Sequence, residues 1–244
     1  MFTDLYNAIP DTFFAMIACQ FLLFIILAFI NKCSVRKKLR ILKQGLLLGV
    51  PLGLFFDSMA GFYGGVFDYG EGYWNVLFLL LNGLLSYGIA IATILIFNIS
   101  SPKINAHKNK FLNTFLFFMA LAGILVFIFV NEFVLGRMIG IGLSIVFLGE
   151  FLLLNYAQKY GPISSLFKRN AKPFLQLFSI GVLMGFVYEI FNWYSPLWYW
   201  TQSQFLTKFQ LEIAVVLLGY FVLVHLFRTT SELYKSIGKT SHVK

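Results

Sequence analysis

Seven stretches of about 20 predominantly apolar residues succeed one another along this chain with short polar breaks between them, and that succession leaves it few folds to choose from. They lie near residues 12–31, 41–61, 75–98, 112–132, 134–155, 174–194 and 209–228. Hydrocarbon offers no water to satisfy peptide groups, so a segment that crosses it alone must be helical. The expected fold is all-α: a polytopic integral membrane bundle of seven transmembrane helices, one membrane domain over 1–244 with a cytoplasmic tail at 229–244. Composition agrees, since 59% of the residues are hydrophobic and only 12% charged, too few polar groups to clothe a soluble core. The first apolar run, 13–30, is long enough to span and ends in basic residues instead of a small-residue cleavage site, so it is expected to remain as a helix.

Lys and Arg in short loops are retained on the cytoplasmic side during insertion. Segments 31–43, 99–111 and 156–173 and the tail together hold 17 of the 19 basic residues, and only Arg137 and Lys208 fall on the other side. This places the N-terminus outside and the C-terminus in the cytoplasm, with the cell membrane as the expected location. The same arrangement accounts for the net charge of +9 without a nucleic-acid partner. Cys19 and Cys33 differ in depth and lack metal-ligand spacing, which makes them structural thiols.

An internal repeat organises the spans. Gly49, Gly53 and Asp57 follow at intervals of four in the second, and Gly181, Gly185 and Glu189 follow at the same intervals in the sixth, 132 residues later. The match extends outward: 53–69 can be laid on 185–200 with one residue of slack, each copy running from glycine to carboxylate to an aromatic-rich outer loop. Gly88 and Gly219 occupy comparable places in the spans that follow. The chain thus reads as repeat A (about 12–98), a connector helix (about 112–132) and repeat B (about 134–228). Small residues four apart share a helix face and let backbones approach closely, so Gly45, Gly49 and Gly53 predict a tight helix contact leading to Asp57.

Four carboxylates fall within spans: Asp57, Glu150, Glu189 and Glu212. Insertion scales put such a residue at about 2.5–3.5 kcal/mol near a helix centre, so each is a functional candidate. Asp57, Glu189 and Glu212 map to the outer parts of the second, sixth and seventh spans, among Tyr63, Tyr69, Asn75, Asn82, Tyr188, Asn192, Trp193, Trp198, Tyr199 and Trp200. An acid in such apolar surroundings is a proton source for a carbon–carbon double bond, and aromatic faces stabilise the cation that results. Read more plainly, such groups snorkel to water or hydrogen-bond between helices, and aromatics at that depth anchor the interface. Glu150 lies towards the cytoplasmic half of the fifth span, where a structural role with Asn155 or a loop is expected. His225 reads as a boundary residue, and His107 and His242 as solvated.

The segment from Asp57 to Tyr69, and that from Glu189 to Trp200 with Trp198 and Tyr199 as its aromatic pair, resemble the integral membrane lycopene cyclases of bacteria, archaea and fungi. Their repeated three-helix units carry an Asp, an aromatic pair near the outer loop, and then a helix opening on Pro-x-Glu-Glu. The double-acid motif is absent from both copies here: the seventh span has Leu211, Glu212 and Ile213, and the third has Leu81, Asn82 and Gly83. The chain resembles that carotenoid-cyclase group as a divergent member, and its size and span number are similar to those of fungal meroterpenoid cyclases. The resemblance implies acid-initiated cyclisation or hydration of a lipophilic isoprenoid entering from the bilayer, with Asp57, Glu189 and Glu212 catalytic. Asn82, Asn192, Tyr188, Trp193, Trp198 and Tyr199 would bind substrate, and no cofactor or metal is required. A non-enzymatic alternative uses the same acidic outer-leaflet pocket in a small transporter, a sensor or an assembly subunit. The partners expected are membrane lipid and a lipophilic small molecule, and both homo- and hetero-oligomers stay open.

Overall fold

The computed structural model describes residues 11–69, 76–97, 110–130, 133–194, 198–201 and 208–240. It contains seven helices long and apolar enough to cross a membrane. They are α1 (Asp11–Ile30), α2 (Val35–Phe56), α3 (Val76–Leu81, resumed at Gly88–Phe97), α4 (Lys110–Phe129), α5 (Val134–Asn155), α7 (Lys172–Tyr194) and α8 (Lys208–Ala214, resumed at Tyr220–Thr240). A one-turn helix, α6 (Pro162–Leu166), lies between α5 and α7, and two residue pairs, β1 (Phe67–Asp68) and β2 (Tyr199–Trp200), form a small antiparallel ladder.

Among the described residues three wide π-helical stretches interrupt this regularity: Asp57–Tyr63 prolongs α2, Asn82–Tyr87 sits within α3, and Val215–Gly219 sits within α8. Several boundaries differ from those read off hydropathy. Ser34 accepts from the Lys37 amide as N-cap of α2, so most of the basic stretch assigned to a loop is the first turns of a helix. At the other end α8 continues to Thr240, through most of the segment expected as a tail.

The chain divides into two compact units, residues 1–97 with 183–202, and 98–182 with 203–244. In the first, α3 is buried on all sides from Ser86 to Ile94, as an all-round apolar helix should be. Its closest neighbour is α2. A methyl at Gly45 would lie 2.8 Å from the Ala92 Cβ, one at Gly49 would collide with the Gly83 carbonyl oxygen and lie 2.6 Å from the Gly88 Cα, and one at Gly53 would lie 2.6 Å from the Tyr87 ring. The glycine ladder of α2 therefore meets the glycines of α3 backbone to backbone. Each contact is small, but no side-chain rearrangement can relieve a carbonyl collision.

In the second unit α4 and α5 form an antiparallel hairpin with the same device: a methyl at Gly123 would lie 2.6 Å from the Ser144 amide, and one at Gly140 would lie 2.5 Å from that of Phe127. Gly181 of α7 packs against the backbone at Tyr220 and Phe221 of α8. Gly219, paired with Gly88 in the sequence alignment, does not share its task; among the described residues a methyl there would meet only Val215 of its own helix.

The Gly49→Ala variant is expected to lose about 1–3 kcal/mol of stability through overpacking. Gly142→Ala, where among the described residues the new methyl would touch only Val222 at an ordinary 3.4 Å, should be neutral. Thermal unfolding of the two purified variants in detergent compares them directly.

Candidate functional site

Asp57 is 1% exposed, at the point where α2 widens into its π-helical turn. Burying a carboxylate without partners costs several kcal/mol, so the surrounding sequence must supply donors. Three arrive from two directions. The Tyr87 hydroxyl donates to Oδ1 at 2.6 Å, the Tyr69 hydroxyl to the same oxygen at 2.9 Å, and the Asn82 amide to Oδ2 at 3.4 Å while also donating to the Tyr69 hydroxyl at 3.0 Å. All of these bonds run towards the carboxylate.

The π-helical stretch in α3 explains how Asn82 and Tyr87 both reach it. Five residues apart on an α-helix, they would point about 140° away from each other. The π winding, which bonds i to i+5, brings such a pair onto one face. Tyr69 comes instead from the loop just after β1 and stacks edge-on against Phe67 and Phe78. Burial, and then the charge of Asp57, push the Tyr69 phenol well above its ordinary value, which keeps it a donor.

Glu189 belongs to the same unit and is 0% exposed. Its Oε1 accepts from the indole Nε1 of Trp200 at 3.1 Å. Trp200 lies in β2, opposite Phe67 of β1, and Tyr199 lies opposite Asp68. Thr201 closes the ladder, its amide and hydroxyl donating to the Val66 and Gly65 carbonyls. The loop that supplies Tyr69 to one carboxylate is thereby bonded to the loop that supplies Trp200 to the other.

Tyr188, next along α7, exchanges a 2.8 Å hydrogen bond with the Ser86 hydroxyl of α3. Asn192 is buried and pins the backbone of Trp198 through two 3.0 Å bonds, to its carbonyl and from its amide. Thus Asp57, Asn82, Tyr188, Glu189, Asn192 and Trp198 lie in the interior of one unit. Trp193 and Tyr199 do not join them: they are 53% and 56% exposed on the outer faces of their elements. Tyr63 is exposed as well. Glu212 is half-buried on α8 in the second unit, and Asn75 lies outside the described residues.

Sequence reading missed two participants. Tyr87 lies in an apolar run where nothing singles it out, and only the π winding directs it to Asp57. Gln20 of α1, 2% exposed, is the one polar side chain on a buried stripe of Phe13, Met16, Phe24 and Ala28, and that lone position was the signal available.

The second unit has its own buried carboxylate. Glu150 accepts from the amides of Ile163 (2.8 Å) and Ser164 (3.0 Å), from the Ser164 hydroxyl (2.6 Å), and from His225 Nε2 (3.0 Å). It fastens α6 and α8 to α5, and Gly161 leaves the room this needs, since a methyl there would collide with the carboxylate. His225 is therefore an interior hydrogen-bond partner of Glu150 and not a boundary residue, because a buried carboxylate needs donors. The expected loop partner is present, whereas Asn155 bonds to Asn113 and to the Phe151 carbonyl instead. Among the described residues no cluster of His, Cys, Asp or Glu has the makings of a metal site.

No protein-family model matches the chain, and no curated protein or solved structure does so either.

Removing one donor to a buried charged acceptor costs about 1.5–3 kcal/mol. Tyr87→Phe is expected to show a loss of that size in thermal unfolding, and Tyr199→Phe, on the exposed face of β2, none.

Proposed function

We propose that this is a multi-pass cell-membrane protein that carries out acid-initiated cyclisation or hydration of a lipophilic isoprenoid, of lycopene-cyclase-like type. The observation that carries the reading is the enclosure of two carboxylates, Asp57 and Glu189, within one unit, each held by an aromatic donor and screened by a shared aromatic ladder. A carboxylate is expensive in such a place, and repeating the expense twice is poorly explained by packing alone.

The chemistry needs only proton movement. A carboxyl group, here assigned to Glu189, gives its proton to a trisubstituted double bond, and the positive charge stays on the more substituted carbon. The π electrons of a second double bond then close a ring, or water adds. The resulting cation loses a proton to a carboxylate, assigned to Asp57, whose hydrogen bonds are all received ones. Substrate and product are isomers or differ by one water, so no redox partner enters the balance. Nearby aromatic faces, those of Tyr188 and Trp198 among them, favour the cationic stages. Glu212 stands as a third candidate acid.

Insertion with the N-terminus outside rests on the basic residues, and a tandem repeat on three correspondences. The π-helical stretches of α3 and α8 end at Tyr87 and Gly219, 132 residues apart. Gly49 meets Gly88 as Gly181 meets Tyr220, again at that offset. Tyr69 and Trp200, aligned by the one residue of slack, each donate to the carboxylate of their own copy.

The interrupted helices also suit a proton-coupled transporter, since such proteins bind at broken helices. The experiment separates the two. Membranes containing the protein, incubated with lycopene, geranylgeranyl compounds or prenylated quinones, are expected to form a cyclised or hydrated product. Asp57→Asn and Glu189→Gln should each slow its formation by about 100-fold or more. No carboxylate-dependent product overturns the cyclase reading, and proton-coupled uptake into vesicles that Glu189→Gln abolishes replaces it with transport. Orientation is checked with a cysteine placed at Ser241: an impermeant maleimide should label it in inverted vesicles and not in intact cells.

A further inference from the structure

Two buried polar groups flanking Tyr188 complete no hydrogen bond of normal geometry among the described residues. The Gln20 amide lies beside the Tyr188 hydroxyl, yet neither its oxygen nor its nitrogen completes a hydrogen bond of normal geometry, although the side chain is 98% enclosed. Trp198, whose ring centroid is 6.1 Å from that of Tyr188, is buried with its indole N–H equally unsatisfied. An amide left in this state costs several kcal/mol in an apolar interior, and an indole N–H is a donor with no other role than to find an oxygen. The sequence had a direct alternative at each position. Leu at 20 would complete the apolar stripe of α1, and Phe at 198 would keep the aromatic contact.

These groups come from elements that have nothing in common locally, α1 and the loop entering β2, and they meet on one tyrosine. That tyrosine is already oriented by Ser86, through a 2.8 Å bond to its hydroxyl and a 3.3 Å bond from its own hydroxyl to the Ser86 carbonyl. Around Tyr188 there are thus two N–H donors, one amide acceptor and a hydroxyl network. A hydrocarbon answers none of them. An oxygen function answers them all: a carbonyl or ether oxygen accepts from the indole and amide N–H groups, and an alcohol also donates to the Gln20 carbonyl.

We propose that Gln20, Tyr188 and Trp198 form a head-group subsite that binds the oxygen of an oxygenated isoprenoid, an alcohol, ketone or epoxide, in the same unit as Asp57 and Glu189. The proposal rests on the isoprenoid reading above and narrows it, since a purely hydrocarbon substrate would leave the subsite unfilled. It assigns no bond making to these residues; they hold and orient. The polar end is fixed at Tyr188, and the polyene is left to extend among the aromatic rings.

The test is binding, measured apart from turnover. Full-length protein in detergent is titrated with geranylgeraniol and with the C20 hydrocarbon that lacks its hydroxyl, followed by thermal shift and tryptophan quenching. The wild type is expected to bind the alcohol at least about tenfold more tightly, as hydrogen bonds to otherwise unpaired buried groups should provide. Gln20→Leu should bring the alcohol to the level of the hydrocarbon while keeping or raising the unfolding temperature, because it removes an unsatisfied amide. Trp198→Phe provides the same reading by a second route if Gln20→Leu fails to accumulate. Equal binding of alcohol and hydrocarbon by the wild type overturns the subsite. So does an alcohol preference unchanged in both variants, which would mean that the groups hold an ordered water only. If the preference is present and Gln20-dependent but no product forms from any isoprenoid, the subsite stands and the catalytic reading falls. If wild type and Gln20→Leu bind and turn over the alcohol equally well, catalysis stands and the subsite falls.

Discussion

A carboxylate sealed from water must be satisfied by the protein itself, and much of the first unit is arranged around meeting that demand at Asp57. Donors have to come from somewhere other than α2, whose own peptide groups are spent on its helix. They are found on α3 and on the loop after β1, and each source imposes a condition. For α3 to reach the carboxylate it must lie against α2 at backbone distance, which the run Gly45, Gly49 and Gly53 permits. For two of its side chains to point the same way its winding must widen. For Tyr69 to turn inward the loop must be held, and β1, β2 and the Thr201 bonds hold it. Close packing, irregular winding and the small ladder are three consequences of one buried charge.

The helices, and the role of the glycines on α2, were legible because both follow from local rules: an apolar length that matches a bilayer, and small residues on one face. Asp57 and Glu189 stood out for the same reason, as charges where the pattern allows none. What was not legible depends on winding and on distance along the chain. Nothing local in the run Asn82 to Tyr87 announces a π-helical turn, so Tyr87 did not stand out as a donor. His225 is 75 residues from Glu150 and looks like the end of a helix until α5, α6 and α8 are seen to converge. Trp193 was named as an outer-layer aromatic and Tyr199 as one of the pair that the resemblance implies, yet helix phase and strand alternation turn them outward, while Trp200, one residue after Tyr199, faces Glu189.

The two units use buried carboxylates differently. Glu150 is met by backbone amides, a hydroxyl and a histidine, and its bonds join three helices at a point where a methyl on Gly161 could not be accommodated. That is the character of a rivet. Asp57 is met by Asn82 and Tyr87 of α3 and by Tyr69, and Glu189 by Trp200; Tyr69 and Trp200 are carried outside the helices, and donors so placed can be withdrawn without unfolding a helix. Burial alone does not separate these cases, since all three residues are equally enclosed. The nature of the donors does.

The ladder between β1 and β2 is only two residues long on each side, too short to contribute much stability. Its importance is mechanical. Tyr69 directly follows one strand and Trp200 lies in the other, so a displacement of either loop is transmitted to the donor on the opposite carboxylate. One short ladder thus sets the place of a donor at each of the two carboxylates, although Tyr87 and Asn82 hold Asp57 from α3 as well.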